Sequence, residues 1–503
     1  MSGSARLQRA ALALAVTLAL VEARAVETLP PLVAAAKNGN QSAALALIAR
    51  GTGLDESSAD GTTALHWAVQ SADRKLAAAL LEAGADANAA NRYGMTPQHL
   101  AAINGDAETL RLLLAAGADP NATLPEGETV LLSAARTGSV EAIDVLVEAG
   151  AQIDSRESWY GETPLIWAAA ENHADAVRAL LAHGADPDIR SAREVWEKRR
   201  ASQSVLPLGE WTPLHYAARE NALDAGKALV EGGANLNLAD PDGATPLVIA
   251  IINAHYELAA MLLEAGADPN PVDTSGTGAL YAAVDMHRLA SGHGRPNPRT
   301  VGLLDAADIV AMLLAHGANP NAELTAPMIQ RQHTFGDGSL GKGATPLLRA
   351  AKSGDIELVK ALIAGGADPK HTMPNGATAL MYAAGLGWRN GSALAPSYDQ
   401  GTDAEAVETI EFLLTQGLAL GDRDKDGNTA LHVAVTGRAS EAIITYLVKE
   451  AGADPSIRNA KHQTVLAAAK AKRDGQAVVA LLESLGVTDS AAEPTAAAAA
   501  GGQ

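Results

Sequence analysis

Three stretches of the sequence hold residue types whose spacing suits chemistry. DRDKDG, from Asp422, opens like a calcium loop, in which alternating carboxylates surround a hard cation. Such a loop closes with a bidentate Glu at its twelfth place, and Val433 stands there, so the stretch reads as turn chemistry. GDGSLGKG, from Gly336, is one residue from a phosphate-binding loop. Gly343 replaces the hydroxyl that would hold magnesium and no buried strand precedes it, so it reads as a glycine loop. His287, His293 and His333 gather in one region, but their spacing matches no compact ligand motif.

No nucleophile elbow, H-E-x-x-H or dinucleotide fingerprint occurs, and no two carboxylates are paired by sequence for acid–base work. With no cysteine in 503 residues, disulfides and thiolate metal sites are ruled out. The expectation is a protein that is no enzyme and needs no cofactor and no metal. Its formal charge of −20 opposes nucleic acid, whose backbone demands a basic surface.

Residues 1–25 read as a secretory signal. Arg6 and Arg9 precede an apolar run from Ala10 to Val21, and Ala23-Arg24-Ala25 fits an A-x-A cleavage site. A run of twelve residues is too short to cross a bilayer, which needs about 20. The expected product is exported, periplasmic or secreted, with no membrane span, and monomeric.

What would position any site is a repeat. A helix-start slot recurs at Pro30, Thr63, Thr96, Thr129, Thr163, Thr212, Thr245, Gly278, Thr345, Thr378, Thr429 and Thr464. Seven of the eleven steps are 33 or 34 residues, so the long steps mark insertions in an array. Thr-Pro, as at Thr163-Pro164 and Thr345-Pro346, is an N-cap with proline at the first helical position. Gly105, Gly138 or Gly354 then ends a short helix. A second helix carries Leu110, Leu113 and Leu114 on one face and stops at Gly117-Ala118-Asp119. The Asn-, Asp- and Gly-rich stretch that follows suits a projecting hairpin-like loop. One such helix pair cannot bury its apolar face alone; stacked neighbours can.

This pattern resembles the ankyrin repeat: "DPDGATPLVIA" at Asp240, "EWTPLHYAA" at Glu210 and "ALLAHGADPD" at Ala179 carry its signature. The resemblance implies an all-α solenoid of about twelve stacked helix-loop-helix repeats, here over residues 26–487. The insertions fall at about 191–209, 291–303, 325–342 and 386–402, and an Ala-rich tail, 488–503, is expected to be disordered. The family's usual work is to bind proteins through loop tips and the concave face of the first helices. The expected function is therefore a non-enzymatic scaffold for a partner protein or peptide. The alternative is a small-molecule, anion or metal site formed by the insertions at 291–342.

His66, His99, His215 and His432 fill the T-P-L-H slot, and His183 and His316 precede a helix-ending Gly; these read as structural. Trp67, Trp167, Tyr216 and Tyr382 follow the His slot on the first helix and read as core. Tyr93, Trp159, Tyr160 and Trp211 lie just before the Thr, where an aromatic suits an interface anchor. Arg92, Arg136 and Arg219 sit in matching loop or first-helix slots beside them. The first insertion adds a local charge of +3 between Arg190 and Arg200 around Trp196. Repeats two to six are thus the expected contact surface, with Arg92, Tyr93, Arg136, Trp159, Tyr160, Trp211 and Arg219 as its residues.

Overall fold

Most repeats begin where a threonine satisfies a free amide of a helix start. Thr63, Thr129, Thr163 and Thr245 accept from the third helical N–H, and proline takes the first position at Pro97, Pro164, Pro213, Pro246 and Pro346. Gly278 lacks the side chain to do so, and its helix starts without that bond. The first helices end within two turns. Gly105, Gly138 and Gly354 adopt φ of 64°, 75° and 65°, as their break positions require.

The computed structural model describes residues 29–51, 53–195, 207–288, 302–329, 340–386, 401–438 and 440–489, with the backbone of 200–201 and 204–205. The chain divides into two units, one reaching Glu197 and resuming over Pro207–Pro241, the other taking Lys198–Leu206 and everything from Asp242. Among the described residues each unit holds six helix pairs, the twelve repeats expected from the period.

In the first unit the first helices are Pro31–Lys37, Ala64–Gln70, Pro97–Ile103, Val130–Thr137, Pro164–Ala170 and Pro213–Glu220. Their partners are Gln41–Ile48, Arg74–Glu82, Ala107–Ala115, Val140–Glu148, Ala174–Ala182 and Leu223–Glu231. First helices stack on first helices and second on second, giving two rows. Between them lie Leu65, Ala101, Leu110, Leu131, Ile143, Leu165 and Leu180, all fully buried. Alanines at Ala68, Ala101, Ala134, Ala168 and Ala217 let the rows approach closely. In the second unit the first helices are Pro246–Ile252, Ala279–His287, Pro346–Lys352, Ala379–Ala383, Ala430–Thr436 and Val465–Lys470, stacked in the same manner.

Two kinds of hydrogen bond stitch the loops of successive repeats. The tip amides of Arg92 and Ser158 donate to the carbonyls of Asp60 and Glu126 in the preceding tips, both at 2.8 Å. After the second helices, Asn88 donates to the Gly117 carbonyl at 2.9 Å and accepts the Asp119 amide at 2.8 Å; Asn121 does the same to Gly150 and Gln152. The G-A-D-x-N signature is thus an inter-repeat amide clamp.

The T-P-L-H histidines are structural. In repeat two, His66 Nδ1 accepts from the Thr63 amide at 3.2 Å, and its Nε2 lies 2.9 Å from the Met95 carbonyl of the next repeat. One neutral tautomer satisfies both contacts, with Nε2–H donating. Burial holds His66 and His432 below the usual imidazole range and takes His99 down to about 4.

The array runs past its expected end. Asp489 accepts from the Thr464 hydroxyl at 2.9 Å and from Lys470 at 2.8 Å, closing the last repeat, so the first two residues assigned to the tail belong to the fold. Residues 1–25 and the tail from 490 lie outside the described residues. No described helix is long and apolar enough to cross a membrane.

Candidate partner-binding surface

Counting from each cap explains what the loop residues do. Places three and four before the threonine are the loop tip, and the place directly before it is the loop base. Tyr93 and Trp159 stand at the tip and are 42% and 65% exposed. Arg92 is exposed beside Tyr93, its guanidinium 4.8 Å from the ring centre. Tyr160 is half-buried, and its carbonyl accepts the Ala192 amide at 2.6 Å.

Trp211 occupies the base, and this corrects its assignment as an exposed anchor. It is only 7% exposed, lies 6.0 Å from His215 and meets Tyr216 edge-on at 5.7 Å. The physical reason lies in the place itself: a side chain at the base is buried or half-buried in every repeat, and three other repeats put buried Ala244, Ala344 and Ala377 there.

Trp159 projects from a fixed backbone. The buried carboxylate of Glu157 accepts the amides of Trp159 at 2.6 Å and of Tyr160 and Glu162 at 2.8 Å. Arg156 ties the same loop down through the carbonyls of Gly161 and Arg190. A large apolar ring on a loop already ordered loses little entropy on binding. Glu157 escapes a sequence reading because a loop glutamate looks solvated.

Arg136 and Arg219 occupy the last turns of first helices. Arg136 sits 5.5 Å over Trp167, while Arg219 sits 5.2 Å over Trp211 and 4.8 Å over Tyr216. Lys37 makes the same contact with Trp67 at 5.1 Å. Tyr216 and Tyr382 are buried, as the core reading expects, but Trp67 and Trp167 are half-buried beneath their cations.

Of the first insertion, Ser191 and Trp211 exchange backbone and side-chain bonds at its base, and Arg193 pairs with Glu210 at 3.1 Å. Arg190 spends its guanidinium on the carbonyls of Glu210 and Ala239. Trp196 and the side chains of Lys198, Arg199 and Arg200 lie outside the described residues.

In the second unit the first helices carry buried charge. Arg349 Nε donates to Asp285 Oδ1 at 2.6 Å, with the two side chains 2% and 0% exposed. His287 Nδ1 lies 2.5 Å from Asp355, Arg288 bridges Asp355 and Glu405, and Arg438 bonds Asp403. Burial raises the Asp355 carboxyl, but the His287 bond and the charges of His287 and Arg288 bring it below the usual range. His287 is thereby engaged with a helix cap, while His293 and His333 lie outside the described residues; no described group of three or more residues could hold a metal. An open groove of about 590 Å³, lined by Glu323, His371, Met373, Pro374, Arg423 and Lys425, runs between the loops that precede repeats nine to eleven. The carboxylates of DRDKDG serve its turn: Asp424 accepts the Asn428 amide at 2.8 Å.

Comparison with known proteins agrees with this geometry. The profile described as ankyrin repeats (3 copies) matches residues 10–91, 32–124, 98–191, 198–273 and 305–390, and a single ankyrin repeat matches 426–460. The ankyrin repeat protein nuc-2 of Neurospora crassa is 30% identical over 167 residues, 30% of this chain and 14% of that protein. The nuclear factor NF-kappa-B p105 subunit of Gallus gallus is 32% identical over 226 residues, 44% of this chain and 18% of that protein. The chain thus spans less than a fifth of the length of either. Among solved structures, the human ASB11 ankyrin repeat domain is 29% identical, covering 44% of this chain and 91% of that one, with a TM-score of 0.37. The profile matches take in well over half of the sequence, and the chain belongs to the ankyrin-repeat family.

Proposed function

We propose that this chain is a non-enzymatic binding protein that takes a partner protein or peptide on the loop tips and first-helix row of repeats two to six, acting as a monomer. The observation that supports this reading best is Trp159, 65% exposed on a loop whose amides are held by Glu157. Tyr93 and Arg92 stand at the equivalent place two repeats earlier, which gives the surface a second anchor. Aromatic and arginine side chains at defined, ordered places carry most of the energy of protein interfaces.

Affinity capture from the source cell tests it, with the intact protein compared against a Tyr93→Ala/Trp159→Ala variant. Leu112→Ala, exposed on a second helix, is the control. The expected result is a set of captured proteins lost with the tip variant and kept with the control. Equal recovery by all three would refute the surface.

The leader-like segment supports export as part of the same reading. Sequencing the N-terminus of the protein from its source is expected to begin at Val26. Material beginning at Met1 in every compartment would remove export from the proposal.

A further inference from the structure

The cations on the first helices of the first unit share one register. Lys37, Arg136 and Arg219 each lie seven places after their caps, Pro30, Thr129 and Thr212. Two of the rings beneath them, Trp67 and Trp167, lie four places after the cap of the next repeat. Tyr216 holds that same place within the helix of Arg219. The remaining seventh places in this unit are Gln70, Ile103 and Ala170. A chain of formal charge −20 therefore keeps the seventh places of its first unit free of acids and plants a ring-supported cation at three of the six.

A cation resting on an aromatic face is held in place while its outer donors stay turned away from the ring. Arg136 and Arg219 remain partly exposed, at 29% and 26%. Glu220 takes Nε of Arg219 at 2.7 Å, and Glu128 lies 3.4 Å from one Nη of Arg136. A planar guanidinium fixed in this way suits a carboxylate, which it can meet through two parallel bonds.

Resting on the partner reading above, we infer that this row recognises carboxylate side chains spaced along an extended partner peptide. Stacked helices lie about 8–10 Å apart, so three layers separate Lys37 from Arg136 by roughly 24–30 Å and two separate Arg136 from Arg219 by roughly 16–20 Å. At about 3.3 Å per residue of extended chain, the matching acids lie roughly eight and five residues apart. Nucleic acid fits this surface poorly, because it presents a phosphate at every nucleotide to a chain that repels polyanions.

Random 20-residue peptides displayed on phage, selected against the full chain, test this directly. The expected outcome is enrichment of Asp and Glu at spacings near eight and five. A selected peptide, measured by fluorescence anisotropy, should bind at least tenfold more weakly to Lys37→Gln/Arg136→Gln/Arg219→Gln. Its own Glu→Gln version should lose as much on the unaltered protein, a measurement that needs no folded variant. Selection of peptides without acids, no selection at all, or an unchanged affinity in both substitutions would overturn the inference, as would tighter binding of single-stranded oligothymidylate. Peptides that lose affinity on Tyr93→Ala/Trp159→Ala but not on the triple variant would sink the row and leave the tip surface standing. Peptides indifferent to both variants would sink both.

Discussion

The carboxylate of Glu157 accepts the Trp159 amide at 2.6 Å while the indole of that same residue points into solvent. The loop is therefore built before any partner arrives. Glu157→Ala removes three acceptor contacts at once and strands the amides of Trp159, Tyr160 and Glu162. Hydrogen–deuterium exchange should show those amides losing at least tenfold of their protection, with the following helix, Pro164–Ala170, unchanged. Protection that persists in the loop would show that Glu157 does not order it.

Asp285 and Arg349 make a second paired prediction. Removing one partner of a buried ion pair costs about 3–5 kcal/mol. Asp285→Ala should therefore lower the urea midpoint strongly. The apolar double variant Asp285→Leu/Arg349→Met should restore most of the loss, because desolvation of both charges disappears with them.

The slot histidines set an acid limit on stability. His99 is held down to about 4 by burial, against an ordinary value of 6.5. Between those values the unfolded chain binds a proton that the fold refuses, so stability is complete above about pH 6.5 and falls as pH drops toward 4. The loss from His99 alone is on the order of 3 kcal/mol. A His99→Gln variant should be weaker at pH 7 yet show a shallower decline in melting temperature over that window. An equally steep decline would place the acid sensitivity elsewhere.

Asn121 clamps two repeats through solvent-exposed bonds to Gly150 and Gln152. Asn121→Ala should cost about 1 kcal/mol or slightly more, since each net bond contributes modestly. Asn121→Asp keeps the acceptor and loses the donor, and its midpoint should fall between the two.

Much of this was legible in the sequence because the repeat makes each position a statement about a neighbour. Most of the Thr caps, the breaking glycines and the G-A-D-x-N turn fold as their spacing implies, since each satisfies a local hydrogen-bonding need, while Thr96 makes no side-chain cap bond. Trp211 was misread because adjacency to the cap looked like the tip, whereas the alanines at Ala244, Ala344 and Ala377 mark that place as base. The Asp285–Arg349 pair stayed hidden because an insertion separates the two residues by 64 places. In cap register they stand at places seven and four, the same geometry that sets Lys37 over Trp67. Glu157 gave no signal, because its role lies in backbone amides that no side-chain pattern reports.

The backbone bonds between loop tips all run one way. Arg92 donates to Asp60, Ser158 to Glu126, Thr274 to Asp242, Lys425 to Asn375 and Ala460 to Asp426, so the later repeat always gives and the earlier always receives. The two ends of the array are consequently unlike: removing a repeat from the C-terminal side bares a tip carbonyl, and removing one from the N-terminal side bares a tip amide, each on an exposed loop that water reaches. The tips have a grain, with acceptors offered at one end and donors at the other.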